Sequence, residues 1–223
     1  DFMPERAPQA AVYDTIVQDL LTAEAAGLPW TDATGRVSLS AVKTQLARVY
    51  LTMAGYPMQK GASYYQMAAD KAYEVITYAN GHPQEIDLFN SYADLRSVSQ
   101  ENRLELLFSV QFQDDVEGNP LNNYLPNGKP VTVFGGWTGT SVPTESFYES
   151  FEAGDLRTED RVGFFYTHYY NNGSGALFDL NGPYIFKYFN TVAFGTNGAP
   201  GTGRNDLNVM QIRYAETLLL YAE

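Results

Sequence analysis

The chain of 223 residues is long enough to bury a hydrophobic core, and a hydrophobic content of 44% suits a globular protein. A formal net charge of −12 argues against nucleic acid or an anionic membrane as the direct ligand, because both attract basic surfaces. The absence of cysteine excludes disulfide bonds, thiol catalysis and cysteine-ligated metals.

Three amphipathic helices are predicted in the first third of the chain. Apolar residues recur at helical spacing over residues 11–26, 39–54 and 63–79. Ser38 is a suitable N-cap for the second helix, and Gly55 is a suitable end. We therefore predict a mainly α fold, in which these helices pack as antiparallel neighbours joined by short connections, similar to tetratricopeptide hairpins.

The middle of the chain has a different composition. Apolar and other residues alternate over 106–112, which predicts a strand. Residues 113–205 then hold 14 of the 19 glycines, so regular helices should be scarce there. One short helix that carries Phe147 and Phe151 is the exception, and Thr144 is a suitable N-cap for it. The pattern predicts an irregular, aromatic-rich region supported by a helical scaffold.

Helical periodicity returns from about Leu207 and continues to Glu223. On a helix, one packed stripe would consist of Ile212, Ala215, Glu216 and Leu219. We expect this stripe to pack against the early helices. Because the chain starts at Asp1 without a methionine and helix-forming residues continue to the last position without a capping signal, we also expect it to be a fragment that is truncated at both ends.

Several short motifs follow one another in a fixed order. They are Leu28-Pro29, Gly35-Arg36-Val37, Leu46-Ala47-Arg48-Val49-Tyr50, Tyr64-Tyr65, the strand-like segment 106–112, Gly154-Asp155-Leu156-Arg157 and Arg213-Tyr214-Ala215-Glu216. In this order they resemble the SusD/RagB family of outer-membrane nutrient-binding proteins. The resemblance implies one SusD-like domain over 1–223, with a helical scaffold (1–105 and 206–223) and a loop-rich, ligand-facing region (106–205).

The resemblance also implies a function. Such proteins capture nutrients at the extracellular face of the outer membrane of Bacteroidetes and deliver them to a TonB-dependent SusC-like barrel. We therefore expect an oligosaccharide ligand, a SusC-like partner, and membrane attachment only through a lipid anchor that this sequence lacks. Two alternatives remain open, namely a peptide or other non-glycan nutrient, and a helical-repeat module that binds only other proteins.

The candidate ligand surface lies among aromatic residues flanked by Asn and Gly. Sugars stack their C–H faces on aromatic rings while their hydroxyls bond to amides and carboxylates. The residues predicted to contact ligand are Trp137, Tyr124, Asn123, Tyr166, Tyr169 and Tyr170. The alternative for each aromatic residue is a place in the core of a region that contains few aliphatic side chains.

No catalytic residue, cofactor or metal site is predicted. Acidic residues are numerous, but no pair has the context of the two carboxylates that a glycosidase needs. The two histidines, His82 and His168, lack a metal-binding spacing, and the acidic stretch 114–119 does not fit an EF-hand. We expect the two family motifs 154–157 and 213–216 to form structural hydrogen bonds and ion pairs.

Overall fold

The computed structural model describes residues 5–123, 141–170, 176–196 and 199–223. Within these ranges the α-helices are Gln9–Glu24 (α1), Leu39–Ala54 (α2), Ala62–Gly81 (α3), Glu145–Glu149 (α4), Thr191–Phe194 (α5) and Tyr214–Ala222 (α6). The strands are Leu106–Val110 (β1), Phe165–Tyr170 (β2), Leu177–Ile185 (β3), Gly195–Thr196 (β4), Ala199–Pro200 (β5) and Val209–Arg213 (β6). They pair as β1–β6, β2–β3 and β4–β5. The mainly α fold is confirmed, whereas its tetratricopeptide-like character stays a prediction.

The chain divides into two compact units. The helical unit consists of Asp1–Leu88, Asn102–Ser109 and Met210–Glu223. The loop-rich unit consists of Phe89–Glu101 and Val110–Val209. The single domain expected from the sequence, and its division at residues 105 and 205, stay predictions.

Helix α2 lies at the centre of the helical unit. It begins after Ser38, whose hydroxyl accepts a hydrogen bond from the Ala41 backbone N–H at 3.3 Å, and it ends at Gly55, as predicted. Its apolar stripe is buried against α1 and α3, and Leu46 is completely inaccessible to solvent. Ala68 of α3 joins the same cluster, and its small side chain lets the two helices approach closely.

Ion pairs connect the first three helices. The Lys71 Nζ lies 2.7 Å from Glu24 and 3.3 Å from Glu74, and the largely buried Lys43 contacts both carboxylates. Burial raises the pKa of Glu24, but the hydrogen bonds from Lys43 and Lys71 outweigh burial and leave its pKa lowered. The network therefore compensates the charges that α2 and α3 bury.

The end of the chain differs from its prediction. Residues 209–213 form β6, which pairs with β1, because Ile212 is buried beside Leu107 in a core that both strands share. The helix begins only at Tyr214, and its buried positions are Tyr214 and Thr217. The Thr217 hydroxyl lies 2.8 Å from that of Thr44 in α2. The predicted stripe is wrong at Leu219, which is 70% exposed.

The loop-rich unit has an aromatic core. Tyr166, Phe186, Phe189 and Phe194 are buried together with Ala193. The rings of Tyr166 and Phe189 meet edge to face at 5.6 Å, and those of Phe186 and Phe189 stack at 5.4 Å. Such aromatic pairs contribute more stabilising free energy than the burial of their apolar area alone. Aromatic rings therefore supply here the apolar volume that aliphatic residues supply in the helical unit.

Arg96 fixes the chain around this aromatic core. Its buried guanidinium donates to the carbonyl oxygens of Gly163 and Val162 at 3.1 and 2.9 Å and lies 4.3 Å from the centre of the Phe186 ring. Arg96 therefore satisfies backbone groups of an irregular segment that has no strand partner there. Among the described residues, no helix is both long and apolar enough to cross a membrane.

Candidate ligand-binding region

The predicted ligand residues have different positions in the structure. Trp137 and Tyr124 lie outside the described residues. Asn123 is the last residue of a short 3-10 helix, Pro120–Asn123, and it is described through its backbone only. Tyr169 and Tyr170, also described through their backbones, end strand β2. For these five residues the role in ligand binding stays a prediction.

Tyr166 requires a correction. Its side chain is 0% exposed, and rings surround it, with the centroids of Tyr184, Phe186 and Phe189 at 5.6 to 5.7 Å. A ring in this position cannot stack on a ligand without unfolding its surroundings. Tyr166 is a core residue, which is the alternative that the sequence left open, and we remove it from the candidate surface.

The antiparallel hairpin of β2 and β3 positions Tyr169 and Tyr170. Their Cα partners on β3 are Phe178 and Leu177, and the register shifts between Tyr166 and His168. The hairpin continues from the aromatic core at Tyr166 to the predicted ligand residues Tyr169 and Tyr170.

Polar contacts hold β2 just before these tyrosines. The Thr167 backbone N–H donates to the Asp160 carboxylate, and the Thr167 hydroxyl lies 3.0 Å from Asp160 Oδ1 and 2.9 Å from His168 Nδ1. On the other side of the imidazole, His168 Nε2 lies 3.8 Å from Asp179 of β3. These contacts fix the backbone that leads into Tyr169.

An open depression of about 580 Å³ lies in the loop-rich unit, and residues 150–155 and Arg157 line it. Its walls are polar, with the carboxylates of Glu152 and Asp155, the Arg157 guanidinium and exposed backbone. The Phe151 ring adds little free aromatic surface, because the Arg157 guanidinium lies 4.7 Å above it and Phe147 packs against its edge. The depression can bind hydroxyl groups through hydrogen bonds. It was not predicted from the sequence, in which only its turn residues are recognisable.

The Gly-Asp-Leu-Arg motif has the structural role predicted for it. The Asp155 carboxylate accepts hydrogen bonds from the Arg157 backbone N–H and from Arg157 Nε, both at 2.9 Å. These bonds close a 3-10 turn at Leu156–Thr158. The hydrogen bonds from Arg157 lower the pKa of Asp155 to about 2, so this carboxylate stays ionised at neutral pH.

The acidic stretch 114–119 is joined to residues 204–208 by hydrogen bonds. Arg204 pairs with Asp115 and Asp206 at 3.0 Å each, and the Asp114 backbone N–H donates to Asp206. The Asn119 backbone N–H donates to the Asn205 carbonyl oxygen at 2.8 Å. An arginine thus compensates the acidic side chains. The described residues contain no group of three or more His, Cys, Asp or Glu side chains suited to a metal ion.

Glu101 borders this acidic segment. Its carboxylate accepts a hydrogen bond from the Asn208 backbone N–H at 2.6 Å. Burial, reinforced by the nearby charge of Asp206, raises the pKa of Glu101 to about 7, although the hydrogen bond from Asn208 opposes the shift. A raised pKa is also typical of a catalytic acid, so Glu101 is the carboxyl group that a test for hydrolysis must address.

The second family motif, Arg213–Glu216, also forms the ion pairs predicted for it. Arg213 Nε donates to the buried Glu105 at 2.9 Å, and Arg48 of α2 donates to both Glu216 oxygens at 2.7 and 2.5 Å.

Beside them lies an apolar groove of about 310 Å³. Its apolar lining includes Leu20, Val37, Ala41, Phe108 and Ile212.

Comparison with protein-family models and with curated proteins found no match. Comparison with solved structures found matches over nearly the whole chain. A SusD superfamily protein from Parabacteroides distasonis is 40% identical with a TM-score of 0.85, and the match covers 99% of this chain and 48% of that one.

More distant structures share the fold. A SusD superfamily protein from Bacteroides vulgatus is 20% identical with a TM-score of 0.70, over 97% of this chain and 47% of that one. Surface glycan-binding protein A from Bacteroides fluxus is 23% identical with a TM-score of 0.66, over 99% and 48%. The chain thus spans about half the length of the structures it matches. With the family motifs in order and 40% identity to one member, the chain belongs to the SusD superfamily.

Proposed function

We propose that this protein captures an oligosaccharide at the cell surface and leaves it chemically intact. The observation that carries the proposal is the shared fold with surface glycan-binding protein A over 99% of the chain, combined with membership of the SusD superfamily. The loop-rich unit has the composition that such binding needs, since it combines aromatic rings with amide and hydroxyl groups.

The ligand surface in this proposal consists of Trp137, Tyr124, Asn123, Tyr169 and Tyr170, with the depression at 150–157 as a further hydrogen-bonding surface. Aromatic rings would supply stacking, and the amide and carboxylate groups would bond to hydroxyls. In this proposal a preformed surface would bind more tightly than loops that order on binding, because ordering costs free energy.

The absence of catalysis is part of the proposal. A glycosidase needs one carboxyl group that is protonated near neutral pH and a second carboxylate across the scissile bond. Asp155, with a pKa of about 2, cannot be the acid, and Asp206 is held by Arg204. Glu101 has a suitable pKa, but it bonds to the backbone of Asn208 in a junction of two chain segments.

The partner and the location are also proposed. Following the family, the protein would lie at the extracellular face of the outer membrane, held by a lipid anchor, and would deliver its ligand to a TonB-dependent SusC-like barrel. The apolar groove beside Phe108 and Ile212 in the helical unit is a surface on which a protein partner could pack. A module that binds only proteins is therefore the second candidate function.

A paired experiment separates the two functions. The purified protein is titrated with a panel of polysaccharides, and the same protein is used to capture a co-expressed SusC-like barrel. Binding of a polysaccharide that is recovered without cleavage supports glycan capture. Capture of the barrel without binding of any polysaccharide would contradict glycan capture and support the second candidate function, a module that binds only proteins. Hydrolysis that disappears in Glu101→Gln would overturn the proposed absence of catalysis.

A further inference from the structure

The loop-rich unit is strongly acidic. Its residues, 89–101 and 110–209, include thirteen Asp and Glu against six Lys and Arg, which gives a formal charge of −7. A surface of one sign repels ligands of the same sign unless specific cations are placed to receive them. The positions and partners of the six basic side chains therefore decide which ligands this unit tolerates.

In the described part of the unit, every arginine is held by a partner. Arg157 pairs with Asp155, Arg161 with Asp160, and Arg204 with Asp115 and Asp206. Arg96 is 5% exposed and bonds to backbone carbonyl oxygens. A carboxylate or sulfate on a ligand would therefore compete with protein carboxylates, or in the case of Arg96 with backbone carbonyl groups, for each of these guanidinium groups.

The remaining two basic residues are lysines. Lys187 Nζ lies 5.1 Å from the centre of the Phe164 ring and 5.4 Å from that of Tyr188. Lys129 lies outside the described residues. A lysine is a single point charge on a flexible stem and cannot form the two parallel hydrogen bonds that arginine forms with an anionic group. Among the described residues of this unit, the guanidinium groups that could form such paired bonds with an acidic ligand are thus already bonded to protein groups.

We propose that the loop-rich unit selects uncharged oligosaccharides and rejects those that carry carboxylate or sulfate groups. This inference rests on the proposed glycan capture and adds the class of glycan. Stacking and hydroxyl hydrogen bonds do not depend on net charge, so affinity for a neutral glycan is insensitive to salt. Repulsion of an acidic glycan is screened by salt, whose Debye length falls from about 30 Å at 0.01 M to about 3 Å at 1 M.

The test uses polysaccharides in pairs that differ only in charge. Polygalacturonic acid is compared with its carboxyl-reduced form, and a sulfated galactan with its desulfated form, beside a set of neutral polysaccharides. Binding is measured by titration at 20 mM and 500 mM NaCl. We expect the neutral forms to bind with a Kd that changes less than about twofold with salt. Any charged counterpart should bind at least tenfold more weakly at 20 mM NaCl.

The variant Lys187→Gln sharpens the test. The affinity for a neutral glycan should stay within about twofold of that of the unmodified protein, because a point charge contributes little to sugar stacking. An acidic form that binds more tightly than its neutral counterpart, and more weakly at high salt, would overturn the inference and leave glycan capture intact. Loss of this tighter binding of the acidic glycan in Lys187→Gln would identify Lys187 as the anchor of the acidic group. Failure of every polysaccharide, charged or neutral, would instead overturn glycan capture itself.

Discussion

The helical unit and the loop-rich unit build their cores from different side chains. The first packs Leu46, Val75 and Ala68 from helices whose apolar positions recur at regular spacing. The second packs Tyr166, Phe186 and similar rings from a strand and the loops that follow. In the helical unit, helical spacing marks most core positions, although some apolar side chains such as Leu219 and Tyr73 are exposed. In the loop-rich unit, the buried core and the proposed ligand surface use the same aromatic type, so only the fold separates the two roles.

The largest effect is expected from Tyr166→Ala. Removal of a completely buried ring from the aromatic core should lower the free energy of unfolding by about 3–5 kcal/mol, the range for a large core side chain cut to alanine. The matched control is Phe147→Ala, because Phe147 is also aromatic but 52% exposed. Urea unfolding of both variants measures the difference. Equal losses in the two variants would contradict the separation between core and surface rings.

A smaller effect is expected from adding volume to the helical core with Ala68→Leu. Ala68 is 1% exposed and packs among Val42, Leu46 and Met53, so extra methyl groups must push the helices apart. We expect a loss of about 1–3 kcal/mol. Gln66→Leu adds an apolar side chain to an exposed position of the same helix and should change stability little. A stable Ala68→Leu protein would show that this core contains unfilled space.

The third prediction concerns Glu101 and pH. Its pKa of about 7 in the folded protein lies above its usual value of 4.5. The folded state therefore holds this proton more tightly than the unfolded state. The resulting stability is fully present below pH 4.5 and is lost as the pH rises to 7. Glu101→Gln keeps an acceptor for the Asn208 N–H and cannot ionise. It should be more stable than the unmodified protein at pH 8, by about 1–2 kcal/mol after allowance for partial exposure, and similar to it at pH 4.

The measurement is urea unfolding of both proteins at pH 4 and pH 8. Glu149→Gln, which removes a carboxylate from an exposed position, serves as the control for the loss of one negative charge. A stabilisation of Glu101→Gln that is equal at the two pH values would show that the effect does not come from ionisation of this carboxyl group.

Local sequence signals predicted a large part of the helical unit. The α2 boundaries, its Ser38 cap and the Gly55 end agree with the structure, and α1 and α3 begin and end within two residues of the predicted positions. The cap at Thr144 is also confirmed, because its hydroxyl accepts a hydrogen bond from the Phe147 backbone N–H at 3.3 Å. Caps and periodic stripes depend on neighbours in sequence, so they can be recognised without the fold.

Most of the predictions that failed concern positions where residues distant in sequence determine the structure. Residues 209–213 fit a helical pattern, yet pairing with β1 makes them a strand, and that partner lies about a hundred residues earlier in the sequence. Tyr166 resembled the other predicted ligand tyrosines in sequence, because Phe186 and Phe189, which bury it, follow only after a hairpin. Long-range pairing overrides local propensity at such positions. The depression at 150–157 was missed for a different reason, because its lining is local in sequence and the motif there indicated only a turn.

The central claim is that aromatic residues of the loop-rich unit outside its core bind a glycan, and Trp137→Ala tests it most directly. The same purified variant is melted and titrated with a polysaccharide that the unmodified protein binds. We predict a loss of binding of about 1–3 kcal/mol, the scale for an aromatic anchor, with little change in Tm. A core tryptophan would instead cost about 3–5 kcal/mol of stability. Unchanged binding together with a large fall in Tm would contradict the claim and place Trp137, like Tyr166, among the core residues.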